Sequence, residues 1–194
     1  DANRFAVIGL LKDLGCKVTD LGIVPDDEGI IANTINKAAT NHDVVITSGG
    51  VSAGEEDHIK AAVERYGSIH FWRLSVKPGR PIALGQVANT PFVGLPGNPV
   101  AAMVTFMILA RPLLLMLAGA SNLSARRFPV IAGFDYKKKV GRREWVRARL
   151  QHQGDSLIAQ NYEAGGSGIL RSMVFADGLI ELSEEQVDVS IGDM

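Results

Sequence analysis

The sequence predicts a doubly wound α/β domain followed by a small all-β domain. Three observations carry this. Apolar patterns of helical and strand period alternate from residue 4 to residue 74. The run Val44–Val45–Ile46 enters a small-residue turn, Thr47–Ser48–Gly49–Gly50, as a strand does at the ligand-binding edge of such sheets. After Gly119 the chain breaks into short strand-like runs separated by turn residues.

In order, residues 4 to 14 (RFAVIGLLKDL) form a helix that Gly15 stops. Lys17 to Leu21 is a strand, Pro25–Asp26–Asp27 a turn, and Asp27 the N-cap of a helix over Ile30 to Ala39. Asp43 to Thr47 is a second strand, apolar on both faces as central parallel strands are. A helix over Ile59 to Tyr66 ends at Gly67, and a third strand covers Ile69 to Leu74. Pro81 to Gln86 and Phe92 to Leu95 are short strands around a turn at Ala88–Asn89–Thr90. A long helix follows, with Asn98 as N-cap and Pro99 at its first position. A linker over Ala120 to Arg127 leads to strands at Phe128 to Tyr136, Glu144 to Gln151, Ser156 to Ala159, Gly178 to Leu182 and Gln186 to Ser190.

The bulk composition narrows the function. The net charge of −1 gives no basic field for nucleic acid, and the single cysteine, Cys16, excludes a disulfide framework and a cysteine zinc site. A cytoplasmic location fits. The first residues carry no initiator Met, as expected of a piece of a longer chain. Val100 to Ala120 is apolar enough for a membrane check, which asks for about 20 such residues. Arg111–Pro112 interrupts it, so it is expected to be a buried helix with a kink or break at the proline.

Several groups point to anion chemistry. In SGGVSAG, Gly49 and Gly50 let a ligand approach the backbone, and successive amides make an anion nest; the alternative is a plain glycine-rich connection. No GxGxxG or GK[ST] is present there, which disfavours plain dinucleotide and P-loop readings. Asp57 either holds Mg²⁺ or a polar heterocycle beside such a phosphate, or caps the next helix. Glu55 and Glu56 are solvated first-turn acids, and His58 lacks a second His to bind metal with. Arg73, Lys77 and Arg80 bracket a rigid Pro78–Gly79 turn; three cations there suit a phosphate or other oxyanion, against a solvated basic rim. GLPGNP is explained by capping alone. Arg147 and Arg149 share a strand face, which is commonly a solvated surface, and the Gly165–Gly166–Ser167–Gly168 loop could donate to an oxyanion. No Ser/His/Asp nucleophile set stands out, so the implied chemistry is charge stabilisation rather than covalent catalysis.

TSGGVSAGEED, LSVKPGRP, GLPGNPVAAMVTF and LGIVPDD, with WVRARL and the GGSG loop behind them, together resemble the MoeA family of molybdopterin molybdenumtransferases, to which the gephyrin E domain is related. The resemblance implies a three-layer molybdopterin-binding domain with a mostly parallel sheet over residues 1–119, its first strand missing, and a truncated β-barrel-like domain over 120–194. It implies insertion of molybdate into adenylylated molybdopterin with release of AMP, aided by Mg²⁺, in a homodimer without nucleic-acid or membrane partners. It assigns Gly49, Gly50 and Ser52 to the pterin phosphate and Asp26 and Asp57 to the metal or pterin. Arg73, Lys77 and Arg80 go to molybdate or phosphate, and Arg147 and Ser167 to molybdate. Asp57, Lys77 and Arg73 are the catalytic candidates. Arg73 and Arg80 stand where relatives often have Lys, which keeps charge and changes geometry. The alternatives are a molybdopterin adenylyltransferase, against which the β tail argues, and a non-catalytic receptor-anchoring scaffold.

Overall fold

The structure, a computed structural model, describes residues 2–51, 58–162 and 170–194. The chain divides into two compact units: Asp1–Leu74 with Gly79–Leu123, and Ser75–Pro78 with Ser124–Met194. A single cut after residue 119, as composition suggests, therefore misses that Ser75–Pro78 leaves the first unit for the second. The hydrogen bond from Leu74 N to Arg80 O, 3.1 Å, closes the base of this excursion.

The first unit has three layers. Its sheet runs in the order β1 (Val45–Ser48), β5 (Thr90–Leu95), β4 (Pro81–Val87), β2 (Gly67–Arg73). Only β1 and β5 are parallel, while β5–β4 and β4–β2 are antiparallel, so among the described residues the sheet is mixed rather than mostly parallel. The reason is local: β4 and β5 are joined by the two-residue turn Ala88–Asn89, too short for a crossover, with Ala88 at φ 51°. Strand alternation then feeds two cores. Ala83, Val87 and Phe92 face α2 (Glu28–Ala39) and α3 (His58–Tyr66). Ile82, Val93 and Leu95 face α1 (Ala2–Asp13) and the long helix.

That helix runs from Pro99 to Leu117 as α4 (Pro99–Thr105), a π-helical turn at Phe106–Ala110 and α5 (Arg111–Leu117). It is long and apolar enough to cross a membrane, yet Val100, Ala102, Val104 and Ala110 are fully buried in the unit, which fits a core helix. The expected irregularity at Arg111–Pro112 takes the form of the π turn. Pro112 has no N–H to give the preceding turn, and Arg111 N reaches back to Phe106 O instead. Asn98 caps the start, accepting from Ala101 N at 3.5 Å, and Asp27 caps α2, accepting from Ile30 N at 2.8 Å.

Lys17 to Leu21, expected as a strand, is not one. A strand needs a ladder partner, and among the described residues this segment has none: a cavity of about 520 Å³ lies between residues 16–24 and residues 44–50. Its side chains are tied elsewhere, Asp20 to Arg4 of α1 at 2.7 Å and Thr19 Oγ1 to His42 Nε2 at 2.8 Å. For the same reason β1, which reads as a central strand, stands at the edge of the described sheet.

The second unit is built on β8 (Arg143–Gln153), which pairs antiparallel with β9 (Ser156–Asn161) and β10 (Gly178–Leu182) and parallel with β3 (Val76–Lys77). β6 (Ile131–Ala132) extends the sheet beyond β9, and β7 (Tyr136–Lys137) and β11 (Asp188–Val189) make a two-stranded ribbon. Residues 128–136, expected as one strand, are thus split between β6 and β7. A short helix, α6 (Arg171–Phe175), interrupts the expected all-β pattern. Ala132, Phe134, Ala148, Ala159, Leu182 and Val189 form the core.

Candidate functional site

In the first unit the candidate site is the turn at the carboxyl end of β1. Gly49 and Gly50 have φ of 89° and 69°, backbone that L side chains adopt only with strain. At Gly50 a side chain would also meet Ile59, 2.8 Å from where its Cβ would stand. The turn is pinned to the GLPGN loop that precedes α4. Gly49 N donates to Leu95 O at 3.0 Å, and the buried Asn3 amide donates to Ser48 Oγ and Gly97 O, both at 2.9 Å. Asp26, Gly49 and Gly50 all line the cavity beside β1. The structure therefore brings three of the sequence-derived candidates, a carboxylate and two glycines of the turn, to the lining of one concavity.

Arg73 closes β2 opposite Pro81 and Arg80 precedes β4. Both are exposed, and neither makes an ion pair among the described residues. They stand at the two ends of the excursion that carries Lys77. Ser52, Asp57 and Ser167, with Glu55 and Glu56, lie outside the described residues.

In the second unit Lys77 is fixed by a polar cluster. Its position on β3 is opposite Glu144 of β8. The Lys77 ammonium donates to the Tyr136 hydroxyl oxygen at 2.8 Å and lies 3.2 Å from Glu144 Oε2. Tyr136 in turn donates its own proton to Glu144 Oε2 at 2.7 Å, and Arg142 Nε donates to Oε1 at 2.6 Å. The ammonium is 5.4 Å from the Tyr136 ring centroid, a distance set by its hydrogen bond to the hydroxyl rather than by stacking on the ring face.

The charges respond accordingly. Burial is the largest influence on Glu144 and pushes its carboxyl up, but the bonds from Tyr136, Arg142 and Lys77 outweigh it, and the group ends below the ordinary carboxylate value. Burial pulls Lys77 down, and its bonds to Tyr136 and Glu144 more than restore it, leaving the ammonium above the usual lysine value. Burial likewise raises the Tyr136 phenol, so all the groups hold their neutral-pH protonation states: ammonium, phenol and carboxylate. Arg147, placed by sequence on a solvated strand face, is half-buried: desolvation lowers its guanidinium, and Tyr136 and Tyr162 oppose this. Arg149, its neighbour on that face, is exposed and lies over Phe175.

Tyr136 and Glu144 were not among the sequence-derived candidates. Glu144 left one signal. It occupies an inward position of β8, in phase with Val146, Ala148 and Leu150, and an acid in an apolar phase needs a partner. Tyr136 left none, because a tyrosine in a strand is ordinary.

The described residues form two units, one with a glycine turn at a strand end and one with a lysine–arginine cluster on a buried acid. Residues 1–116 match the family described as a probable molybdopterin binding domain, and residues 129–194 match the MoeA C-terminal region, domain IV. The chain belongs to the MoeA family. It is 41% identical over 196 residues to the molybdopterin molybdenumtransferase of Haemophilus influenzae, matching 100% of this chain and 48% of that protein. It is 32% identical over 201 residues to molybdopterin molybdenumtransferase 2 of Mycobacterium tuberculosis, covering 99% of this chain and 48% of the relative. A crystal structure of a molybdopterin biosynthesis MoeA protein from Pyrococcus horikoshii superposes with a TM-score of 0.78 at 26% identity, over 98% of this chain and 45% of that one. The chain thus spans about half the length of the curated relatives it matches.

Proposed function

We propose that this chain is the part of a molybdopterin molybdenumtransferase that takes up adenylylated molybdopterin and molybdate, the reaction inserting the metal and releasing AMP. The observation that supports this best is Lys77, held as an ammonium by Tyr136 and Glu144, in a chain of the MoeA family. Molybdate is a dianion, and a preorganised cation binds it without the cost of ordering a flexible side chain.

In this reading the Gly50 amide, with Ser52, receives the pterin phosphate, and Gly49, whose own N–H is given to Leu95 O, shapes the turn. Arg73, Lys77 and Arg80 neutralise phosphate and molybdate oxygens, and Arg147 and Ser167 take molybdate. Asp26, which lines the same cavity as Gly49 and Gly50, suits a Mg²⁺ that takes one or two carboxylates and completes its shell with phosphate oxygens and water. Asp57 is the second carboxylate. Mg²⁺ there would neutralise charge on the phosphoanhydride. The protein acts in the cytoplasm as a homodimer.

The test is a fluorescence titration with adenylylated molybdopterin and Mg²⁺, comparing the parent with Lys77→Ala and Asp57→Ala. Each substitution is expected to weaken binding by roughly tenfold or more, the loss of a charge-assisted contact. Affinity unchanged by both would overturn the residue roles. Capture of a peptide partner with no pterin bound would favour the scaffold reading.

A further inference from the structure

We infer that Glu144 and Tyr136 are positioning residues for anion binding: they hold the Lys77 ammonium in one place and aim its remaining N–H outward. The inference rests on the function proposed above and adds the device that makes Lys77 specific.

The geometry of the second unit carries it. The backbone of the excursion is pinned first. Arg143 N donates to Ser75 O at 3.0 Å, Ser75 Oγ donates to Gly141 O at 2.6 Å, and the β3–β8 register sets Lys77 directly opposite Glu144. That fixes Lys77 Cα but leaves a four-carbon side chain free to swing. The polar cluster removes this freedom. Glu144 is 1% exposed, among inward-facing apolar residues, where a carboxylate is tolerated only when its oxygens are fully engaged. Arg142 occupies Oε1, and Tyr136 and Lys77 share Oε2.

The direction of the hydrogen bonds matters. Tyr136 spends its only proton on Glu144, so its oxygen is left as an acceptor, and Lys77 donates to it. An ammonium has three protons. Two are directed at Tyr136 and Glu144, and the third points away from the pair, on a side chain 48% exposed and thus open to a ligand. Glu144 is balanced by Arg142, so the Lys77 charge is not cancelled within the cluster. A carboxylate facing Lys77 alone would have neutralised the anion site. One shared with Arg142 and a phenol orients the lysine and leaves a net positive face.

Glu144→Gln and Tyr136→Phe, made in the full chain, test this. Two readouts are needed: the Lys77 ammonium pKa from ¹³Cε-lysine NMR, assigned with Lys77→Arg, and molybdate affinity by calorimetry. Glu144→Gln is expected to lower the Lys77 pKa. Both variants are expected to weaken molybdate binding about three- to tenfold, as loss of one buried hydrogen bond does. A Lys77 pKa unchanged in folded Glu144→Gln overturns the inference, whatever happens to molybdate. A lowered pKa with parent-like molybdate affinity in both variants overturns the link to anion binding. If even Lys77→Ala binds molybdate like the parent, the molybdate reading fails, while a lowered pKa in Glu144→Gln still upholds the positioning. Should Glu144→Gln fold poorly, Tyr136→Phe decides through the Lys77 resonance: a mobile, solvent-like Lys77 supports the inference, and a parent-like one overturns it.

Discussion

In the function proposed above, the two units prepare for an anion by opposite means. In the first unit the turn after β1 offers backbone, its shape maintained by positive-φ glycines and by Asn3 bridging two loops. In the second unit the offering is side chain, a lysine whose orientation depends on Tyr136 and Glu144. A backbone nest is specified by what is missing, since any Cβ disturbs it. A side-chain cluster is specified by what is present and by the order of its hydrogen bonds. The first is expected to fail sterically and locally, the second electrostatically and together with its unit's stability.

The largest effect expected is from Glu144→Ala. It removes a buried carboxylate with three partners and is expected to destabilise the second unit by about 3 kcal/mol, at the upper end for charged hydrogen bonds. Lys77 and Arg142 can still reach water, which keeps the loss below that of a fully buried pair. Urea unfolding of the second unit measures it, and a loss under about 1 kcal/mol would mean the cluster does not hold the unit together. Gly50→Ala comes next, at about 2 kcal/mol, because it combines a left-handed backbone with the Ile59 contact. Gly49→Ala has the strained φ but open space around it and should cost about 1 kcal/mol. Equal losses at the two glycines would show that Ile59 yields freely.

The same contrast explains how much was legible in the sequence. Helices were easy: Asp27, Asn98–Pro99 and Gly15 mark their ends by side-chain and backbone chemistry that acts within a few residues. The glycine turn was legible because glycine pairs at a strand end have few other uses. Lys17 to Leu21 was misread because strand pattern reports a buried face and not a neighbour, and among the described residues no strand lies beside it. The mixed sheet was missed because direction is set by the short Ala88–Asn89 turn, whose consequence is non-local. Lys77 was singled out from its motif, but its supports were not. Tyr136 and Glu144 lie 59 and 67 residues further on, and only folding makes them neighbours.

Asn3→Ala sharpens the backbone half. The Asn3 amide joins the β1 turn to the loop before α4, so its loss should cost about 1–2 kcal/mol and loosen both loops. Faster amide exchange at Gly49 and Gly97, with the second unit unaffected, is the expected signature. Exchange that stays slow would mean the Gly49–Leu95 bond alone holds the turn.

At neutral pH the smallest effect separates the two halves most cleanly. The folded Glu144 carboxyl sits below its unfolded value, so its stabilisation is present above the ordinary carboxylate range and is lost as pH falls through the folded value. The folded Lys77 ammonium sits above its unfolded value, so its contribution is complete below the ordinary lysine range and lost as pH rises through the folded value. The second unit should therefore have a stability plateau between the two ranges and fall off on both sides, with the alkaline limb shallow because Lys77 is half in water. In Glu144→Gln the acid limb should flatten, since the amide does not titrate, and the alkaline limb should begin at lower pH as Lys77 loses its anionic neighbour. The glycine turn carries no titrating group among the described residues, so Gly50→Ala should lower the first unit's curve without changing its shape. A Gly50→Ala curve that changes shape with pH would break the division between backbone and side-chain preparation.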